Sequence, residues 1–372
     1  MPKRIPYVTI AAIILLFSAG INGAVGDDLH LIWKRPIKPP VSLTIAPGGN
    51  YFGTVDTEGN VRFYDKNARL IWQKKIEGAT DALIAQNGSS LLVFTKLDPT
   101  RTTVHYFRLN NNLYWRHDVS GSIWSAAVSP NGDYVAVGTG KCYLYLYPPY
   151  PIRPRWRRWR LEGIVHSLTF TPDSQRIVAG TWQKSTIACY DLKSKLLWRY
   201  GHYNDRQYDL QVSADGNTIL GVQPGSQHRP VTEVCLWNTQ GRLLWRQKVE
   251  GFEPFARVSP RSQYVAISFT KYLSRSRSHM LERKIKVYSA KGNLLWEKGG
   301  LFFSPRLVAI SPTGSSVIAS DGKSSLYNIQ SDGKIRSKLT LGGVIRTCIP
   351  SNDCRQILIY CGDGWLYLVG VR

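Results

Sequence analysis

After residue 28 the apolar positions come in short alternating runs, and no stretch holds the 3.6-residue period of a helix. The runs are punctuated in a fixed way: an apolar segment, a turn rich in Pro, Asn, Asp, Ser or Gly, then a second apolar segment. This phrase reads IAPGGNYFGTV from Ile45, IAQNGSSLLVF from Ile84, VSPNGDYVAVGT from Val128 and FTPDSQRIVAGT from Phe170. It returns as VSADGNTILGV from Val212, VSPRSQYVAISF from Val258, ISPTGSSVIAS from Ile310 and IPSNDCRQILIY from Ile349. Turn-forming residues flanked by β-branched and aromatic ones predict a hairpin at each copy.

A third strand follows each hairpin, as at Val61-Arg-Phe-Tyr64, Tyr143-Leu-Tyr-Leu-Tyr147 and Lys286-Val-Tyr288. A fourth is marked by a tryptophan string: Leu31-Ile-Trp33, Leu70-Ile-Trp72, Leu113-Tyr-Trp115, Trp159, Leu196-Leu-Trp198, Leu243-Leu-Trp245 and Leu294-Leu-Trp296. A degenerate eighth copy runs Gly333-Lys-Ile-Arg-Ser337. Four strands in each repeat of about 40–50 residues is the pattern of a propeller blade. The repeats open with a lone fourth strand, Leu29 to Lys34, and finish with three, the last being Trp365 to Val369. The opening strand can therefore complete the final blade, which closes the ring and removes its exposed edges. The expectation is an all-β, eight-bladed propeller over residues 27–372. Seven blades is the alternative, if the weak last unit pairs differently.

The phrases VSPNGDYVAVGT, LWNTQGRLLW and VYSAKGNLLW resemble prokaryotic WD-repeat-like and quinoprotein-like (PQQ-like) propeller repeats, and the resemblance spans residues 29–372. The Trp-Asp pair that names WD repeats is absent; Tyr64-Asp65, Tyr190-Asp191 and Trp237-Asn238 stand in its place. By the same resemblance Trp33, Trp72, Trp115, Trp159, Trp198, Trp245 and Trp296 are expected to dock one blade on the next rather than to hold a ligand. The fold itself hosts many unrelated roles. Quinoprotein-like repeats also raise a redox enzyme as an alternative. Those enzymes are longer and usually carry a vicinal cysteine pair, which is missing here, so no cofactor is expected.

The first 26 residues differ from the rest. Lys3 and Arg4 precede an uncharged stretch from Ile5 to Gly26, closed by Asp27 and Asp28. Residues 1–26 read as a cleavable export signal or as a retained N-terminal membrane anchor. Either places the propeller outside the cytoplasm, with the positive residues kept inside. Six cysteines fall at 142, 189, 235, 348, 354 and 361. Cys142, Cys189 and Cys235 are expected to be free and buried on strands of three blades, and a bridge within the 348–361 group stays open.

Lys and Arg number 48 against 25 Asp and Glu, a formal charge of +23. Such a field favours an anionic partner. Two segments concentrate it. Arg153-Pro-Arg-Trp-Arg-Arg-Trp-Arg160 joins third and fourth strands. The other, Lys271 to Lys284, joins second and third strands of blade six, so it projects from the opposite face. Lys271, Tyr272, Arg275, Arg277, His279, Arg283 and Lys284 are its candidate contact residues. His228 and Arg229, Trp182, and the loops entering each first strand, with Trp124, His202, Tyr203, Arg206, Phe252, Phe302 and Phe303, are expected on the same face. Long loops gathered on one rim of a rigid scaffold are where binding resides.

No HExxH, GxSxG or calcium-loop spacing occurs, and the seven histidines are scattered. No metal site or catalytic residue is assigned. The sequence reads as a non-enzymatic, extracytoplasmic scaffold for a protein partner or an anionic polymer or membrane surface, not for nucleic acid. The alternatives are the redox enzyme above and an accessory subunit of a membrane complex.

Overall fold

In the computed structural model the described residues are 29–371, save 47, 86–87, 89, 97–100, 109, 149–156, 183–185, 202–208, 214, 226–228, 273–280 and 352. They form eight four-stranded antiparallel sheets arranged as blades. Blade 1 runs Pro40–Lys75, blade 2 Ala79–Ser120, blade 3 Ile123–Arg160, blade 4 Ile164–Gly201 and blade 5 Asp209–Glu250. Blade 6 runs Phe252–Lys298 and blade 7 Arg306–Thr340. Blade 8 combines Ile345–Val371 with the first strand of the chain, Leu29–Pro36. That first strand pairs with Trp365–Val371, from Leu29 opposite Val371 to Pro36 opposite Trp365. The ring therefore closes as expected, and the seven-blade alternative falls.

Within a blade the chain runs outward from the channel. Turns between strands one and two, and between three and four, share one end of the ring, here the hairpin end. Turns between strands two and three, and the links from blade to blade, share the other, the crossover end. The residues at the old Trp-Asp position have a local task at the hairpin end. Oδ1 of Asp65 accepts from the amides of Asn67 and Arg69 (2.9 and 2.8 Å), and Oδ1 of Asp191 from those of Lys193 and Lys195 (both 2.8 Å). Each carboxylate closes an Asx-type turn, satisfying amides that the strand ladder leaves free.

Blades pack face to face through apolar clusters that span neighbours. One joins Leu144 and Ala136 of blade 3, Leu168 and Phe170 of blade 4, and Ile219 and Trp237 of blade 5. Another closes the ring, placing Leu358, Leu366 and Leu368 of blade 8 against Leu43 and Phe52 of blade 1, with Trp33 packed alongside. Each fully buried aliphatic or aromatic side chain stabilises by about 1.5–3 kcal/mol.

The tryptophans of the outer strands add a directional contact. Trp33, Trp198 and Trp245 donate from Nε1 to carbonyls in the next blade's turn, at Lys66, Thr239 and Ala290 (2.9–3.1 Å). Trp296 reaches the carbonyl of Gly314 (3.1 Å). Gly241 sits under Trp198: a Cβ there would stand 2.4 Å from the indole, and its φ of +85° excludes most side chains anyway. Trp72 and Trp115 are buried, and Trp159 lies edge-on to Tyr190 at 5.8 Å.

The innermost strands have an edge facing the channel, and side chains of the preceding blade cover it. Thr44 accepts from the amide of Ile84, Ser125 donates to the carbonyl of Val165, Gln211 accepts from the amide of Val258, and Arg257 donates to the carbonyl of Val308. Backbone groups that closure cannot pair are thus satisfied from next door.

Two expectations need correction. Cys142 is not on a strand. It sits in the turn before Tyr143–Tyr147 at a φ of +65°, half-buried, whereas Cys189 and Cys235 are buried strand residues. All six cysteines are free thiols, and burial pushes those of Cys348, Cys354 and Cys361 up to about 12. The 271–284 segment is also less of a loop than its composition predicts. Strand Tyr264–Tyr272 and strand Leu281–Ser289 extend the hairpin until Tyr272 faces Leu281. Lys271, Tyr272, Arg283 and Lys284 are therefore ladder residues, because alternation of Phe, Thr, Tyr and Ile carries the pairing past the basic ones.

Candidate functional site

The candidate residues fall into three neighbourhoods of the crossover end. At blades 5 and 6, the amide of Gly251 donates to the carbonyl of Pro230 (2.7 Å), which ties the link into blade 6 to the loop carrying Arg229. Lys271 pairs with Glu250 at 2.8 Å, and Tyr272 packs on Phe252 at 5.1 Å. These contacts bring Arg229, Lys271 and Tyr272 together. Arg283 and Lys284 lie toward blade 7: Arg283 Nε donates to Ser304 (2.9 Å), and Lys284 pairs with Glu282 and Glu297 at 3.3 and 3.8 Å. Lys271 and Lys284 are thus already matched by carboxylates. Arg275, Arg277, His279, His228, His202, Tyr203 and Arg206 lie outside the described residues.

Trp182 belongs elsewhere, at blades 3 and 4. Its ring stands 5.6 Å from that of Trp124, which in turn is 6.2 Å from His166. Trp124 leans over Gly140, where a Cβ would meet Nε1 at 2.6 Å, and all three rings are half-buried. The basic segment of blade 3 is described only from Arg157. There the arginine stems cover the rim, Arg157 donating to the carbonyl of Leu192 (3.2 Å) and Arg158 lying 4.6 Å over Tyr143.

Sequence reasoning placed Trp124 and Phe302 on this face but missed the arginines of the channel mouth. Innermost strands of blades 1 to 4 and 8 each carry a β-bulge at the same place, at Val41, Thr80, Trp124, His166 and Arg346. A bulge re-aims one side chain and recurs beside binding sites. In blade 7 the bulge falls at Val308 instead, and Arg306, which matches the others by its distance from the inner turn, is paired opposite Ser320. Both arginines are exposed, each leaning on the glycine of its blade's second turn, Arg306 on Gly322 and Arg346 on Gly362. No described carboxylate pairs with either. In the link that leads into blade 7, Phe302 is 70% exposed, held by contacts of 4.9 Å to Phe303 and 5.8 Å to Tyr327. A usable signal exists: each mouth residue lies five positions before the residue that opens the inner hairpin turn, as Arg346 does before Ser351.

One carboxyl near the inner ring is perturbed. Burial pushes Asp81 up to about 6, against a hydrogen bond from Ser42 of blade 1 and the amide of Ala82. Through the Ser42 hydroxyl it links blades 1 and 2. Among the described residues no cluster of His, Cys, Asp or Glu could hold a metal ion.

Residues 112–147, the end of blade 2 and most of blade 3, match the family model of the WD domain, G-beta repeat. No curated protein matches the chain by sequence. Solved structures share its fold. The C-terminal WD40 domain of Sif2 superposes with a TM-score of 0.69 at 12% identity, covering 94% of this chain and 100% of that one. BamB from Moraxella catarrhalis gives 0.65 at 14% identity over 92% and 99%, and Sqt1 of Saccharomyces cerevisiae gives 0.67 at 11% over 93% and 99%. Ring closure, blade count and the matched repeat together make the chain an eight-bladed, WD-repeat-like β-propeller, a fold that serves in general as a scaffold for protein interaction.

Proposed function

We propose that the crossover end is a docking platform for an acidic segment of a protein partner, displayed outside the cytoplasm by a chain that is not an enzyme. The observation that carries this reading is the mouth of blades 7 and 8: Arg306 and Arg346 are exposed and free of carboxylate pairs among the described residues, at the same end of the ring as the exposed Phe302. An unpaired guanidinium takes a carboxylate in bidentate fashion, and an aromatic anchor on the same surface supplies apolar area. The extracytoplasmic location rests on the Lys3-Arg4 start, the uncharged run from Ile5 to Gly26 and the acidic close at Asp27. The non-enzymatic reading rests on the work the acidic groups already do, closing turns at Asp65 and Asp191 and binding Arg62 at Asp56.

The test is extraction of the full chain in mild detergent and identification of the polypeptide that stays bound. Arg306→Glu with Arg346→Glu should release it, as should raising salt from about 50 to about 500 mM, which shortens the screening length to a few ångströms. Lys291→Glu, at the hairpin end, should leave it bound. Retention by the double variant would overturn the assignment of the site.

A further inference from the structure

The outer wall of the ring carries a second repeated feature, at the hairpin end. In seven blades the pairing of third and fourth strands slips at one place, the residue just before the tryptophan or its substitute. The residue left over by each bulge is Ile32, Ile71, Leu197, Leu244 or Leu295 in five of them. These five side chains are between 41% and 48% exposed. Bulges on edge strands normally guard against pairing with another chain, and a charged residue serves that end best. Here the extra residue is repeatedly a large aliphatic one. In water the exposed part of each such side chain gains nothing; at a boundary between polar and apolar media it gains by burial.

The turns beside this rim expose several lysines alongside Asp65, Asp191 and Asp332. Exposed Lys66, Lys193, Lys195 and Lys291 lie in the adjoining turns, and blade 3 places Arg157 and Arg158 where the others have their apolar pair. The start of the fold lies at the same end. Leu29 pairs with Val371, the last described residue of the third strand of blade 8, and so sits where the other blades make their hairpin turn. Asp27 and Asp28 alone separate it from the uncharged run ending at Gly26, and two residues span at most about 7 Å.

From this we infer that the hairpin end rests on an anionic lipid bilayer, with the bulged aliphatic residues in the headgroup region and the lysines against lipid phosphates. The inference rests on the reading of residues 5–26 as a retained anchor. An anchor leaving the bilayer so close to Leu29 holds this end down and turns the mouth of blades 7 and 8 outward. Amphipathic surfaces bind in this way by sinking apolar groups about 5–10 Å while basic groups engage the headgroups.

The test uses the full chain reconstituted into vesicles of phosphatidylcholine and phosphatidylglycerol. Photoreactive p-benzoylphenylalanine replaces Leu197, Leu244 or Leu295 at the rim, or Lys141 or Lys323 at the crossover end. All five positions are exposed, so the fold is kept, which thermal unfolding checks. Lipid adducts are expected at the rim at about tenfold the level seen at Lys141 and Lys323, as burial at the headgroup boundary requires. Equal labelling at both ends, or adducts at the rim to protein rather than lipid, overturns the orientation while the anchor stands. Failure of the chain to float with vesicles removes the anchor, and the orientation with it.

Discussion

The two ends of this ring are made by the same eight blades and could hardly be less alike. At the hairpin end the blades largely repeat one another: seven carry a bulge between third and fourth strands, seven a tryptophan, and four of those tryptophans donate Nε1–H to a carbonyl of the next blade. At the crossover end blades 1 and 8 have three-residue turns at Thr57–Gly59 and Gly362–Gly364, while more residues separate the second and third strands of blades 2, 5 and 6. Regularity follows from packing, because each blade must dock on the next with one geometry. Variation in length is tolerated where no neighbour constrains the chain, and the same end carries the exposed guanidiniums of Arg306 and Arg346. The scaffold is written in the repeated residues, the binding chemistry in the departures from them.

Substitution at the regular end should have the largest effect. Trp245 is buried, lies 5.8 Å from Tyr288 and donates to Ala290 across the blade boundary. Trp245→Ala is expected to cost about 3–5 kcal/mol, a cavity plus a lost hydrogen bond, read as a lower urea midpoint. Trp124→Ala, at the half-buried mouth of blade 3, should cost much less. Equal losses would mean that the crossover aromatics also hold the ring together.

Two carboxyls of neighbouring blades sharpen the contrast through pH. Asp56 is buried in the second turn of blade 1. Burial alone would raise its carboxyl, but the amide of Asn60 and the guanidinium of Arg62 (2.7 Å) hold it below its ordinary value. Its contribution is present above about pH 4 and is lost as pH falls through the lowered folded value. Asp56→Ala leaves Arg62 and two turn amides without their acceptor and should cost about 3 kcal/mol at pH 7. Asp81 runs the other way. Its folded value of about 6 exceeds the ordinary 3.8, so protonation favours the folded ring as pH falls from about 6 toward 4. Asp81→Asn should therefore stabilise by about 2 kcal/mol at pH 7 and flatten that part of the profile, as urea midpoints at pH 7 and pH 4.5 would show.

Most of the ring was legible in the chain because each of its signals is local and repeated. Hairpin turns, third strands and Leu-Leu-Trp strings all repeat in register, and the borrowed strand at Leu29 follows from counting. The site was legible only in part. Lys271 and Lys284 stand out as basic residues, yet Glu250, Glu282 and Glu297 neutralise them, and those partners come from neighbouring strands and blade links that composition does not reveal. Arg306 and Arg346 carry no local signal beyond their place ahead of a turn. What distinguishes them is the absence of a facing carboxylate among the described residues, a property of the folded ring.

The smallest expected effect is therefore the most informative about the division of labour. Arg346 sits on a bulge at the channel mouth, exposed, with its guanidinium over Gly362 and no described ion pair to lose. Arg346→Glu should shift folding stability by no more than about 0.5 kcal/mol, the usual range for a surface change away from packing. If the mouth is open to an acidic partner, the same variant abolishes binding through repulsion while the urea midpoint stays in place. A midpoint that moved by 2 kcal/mol or more, on the scale of a buried contact, would show that Arg346 holds blade 8 rather than presenting a charge, and the mouth would belong with the regular end of the ring.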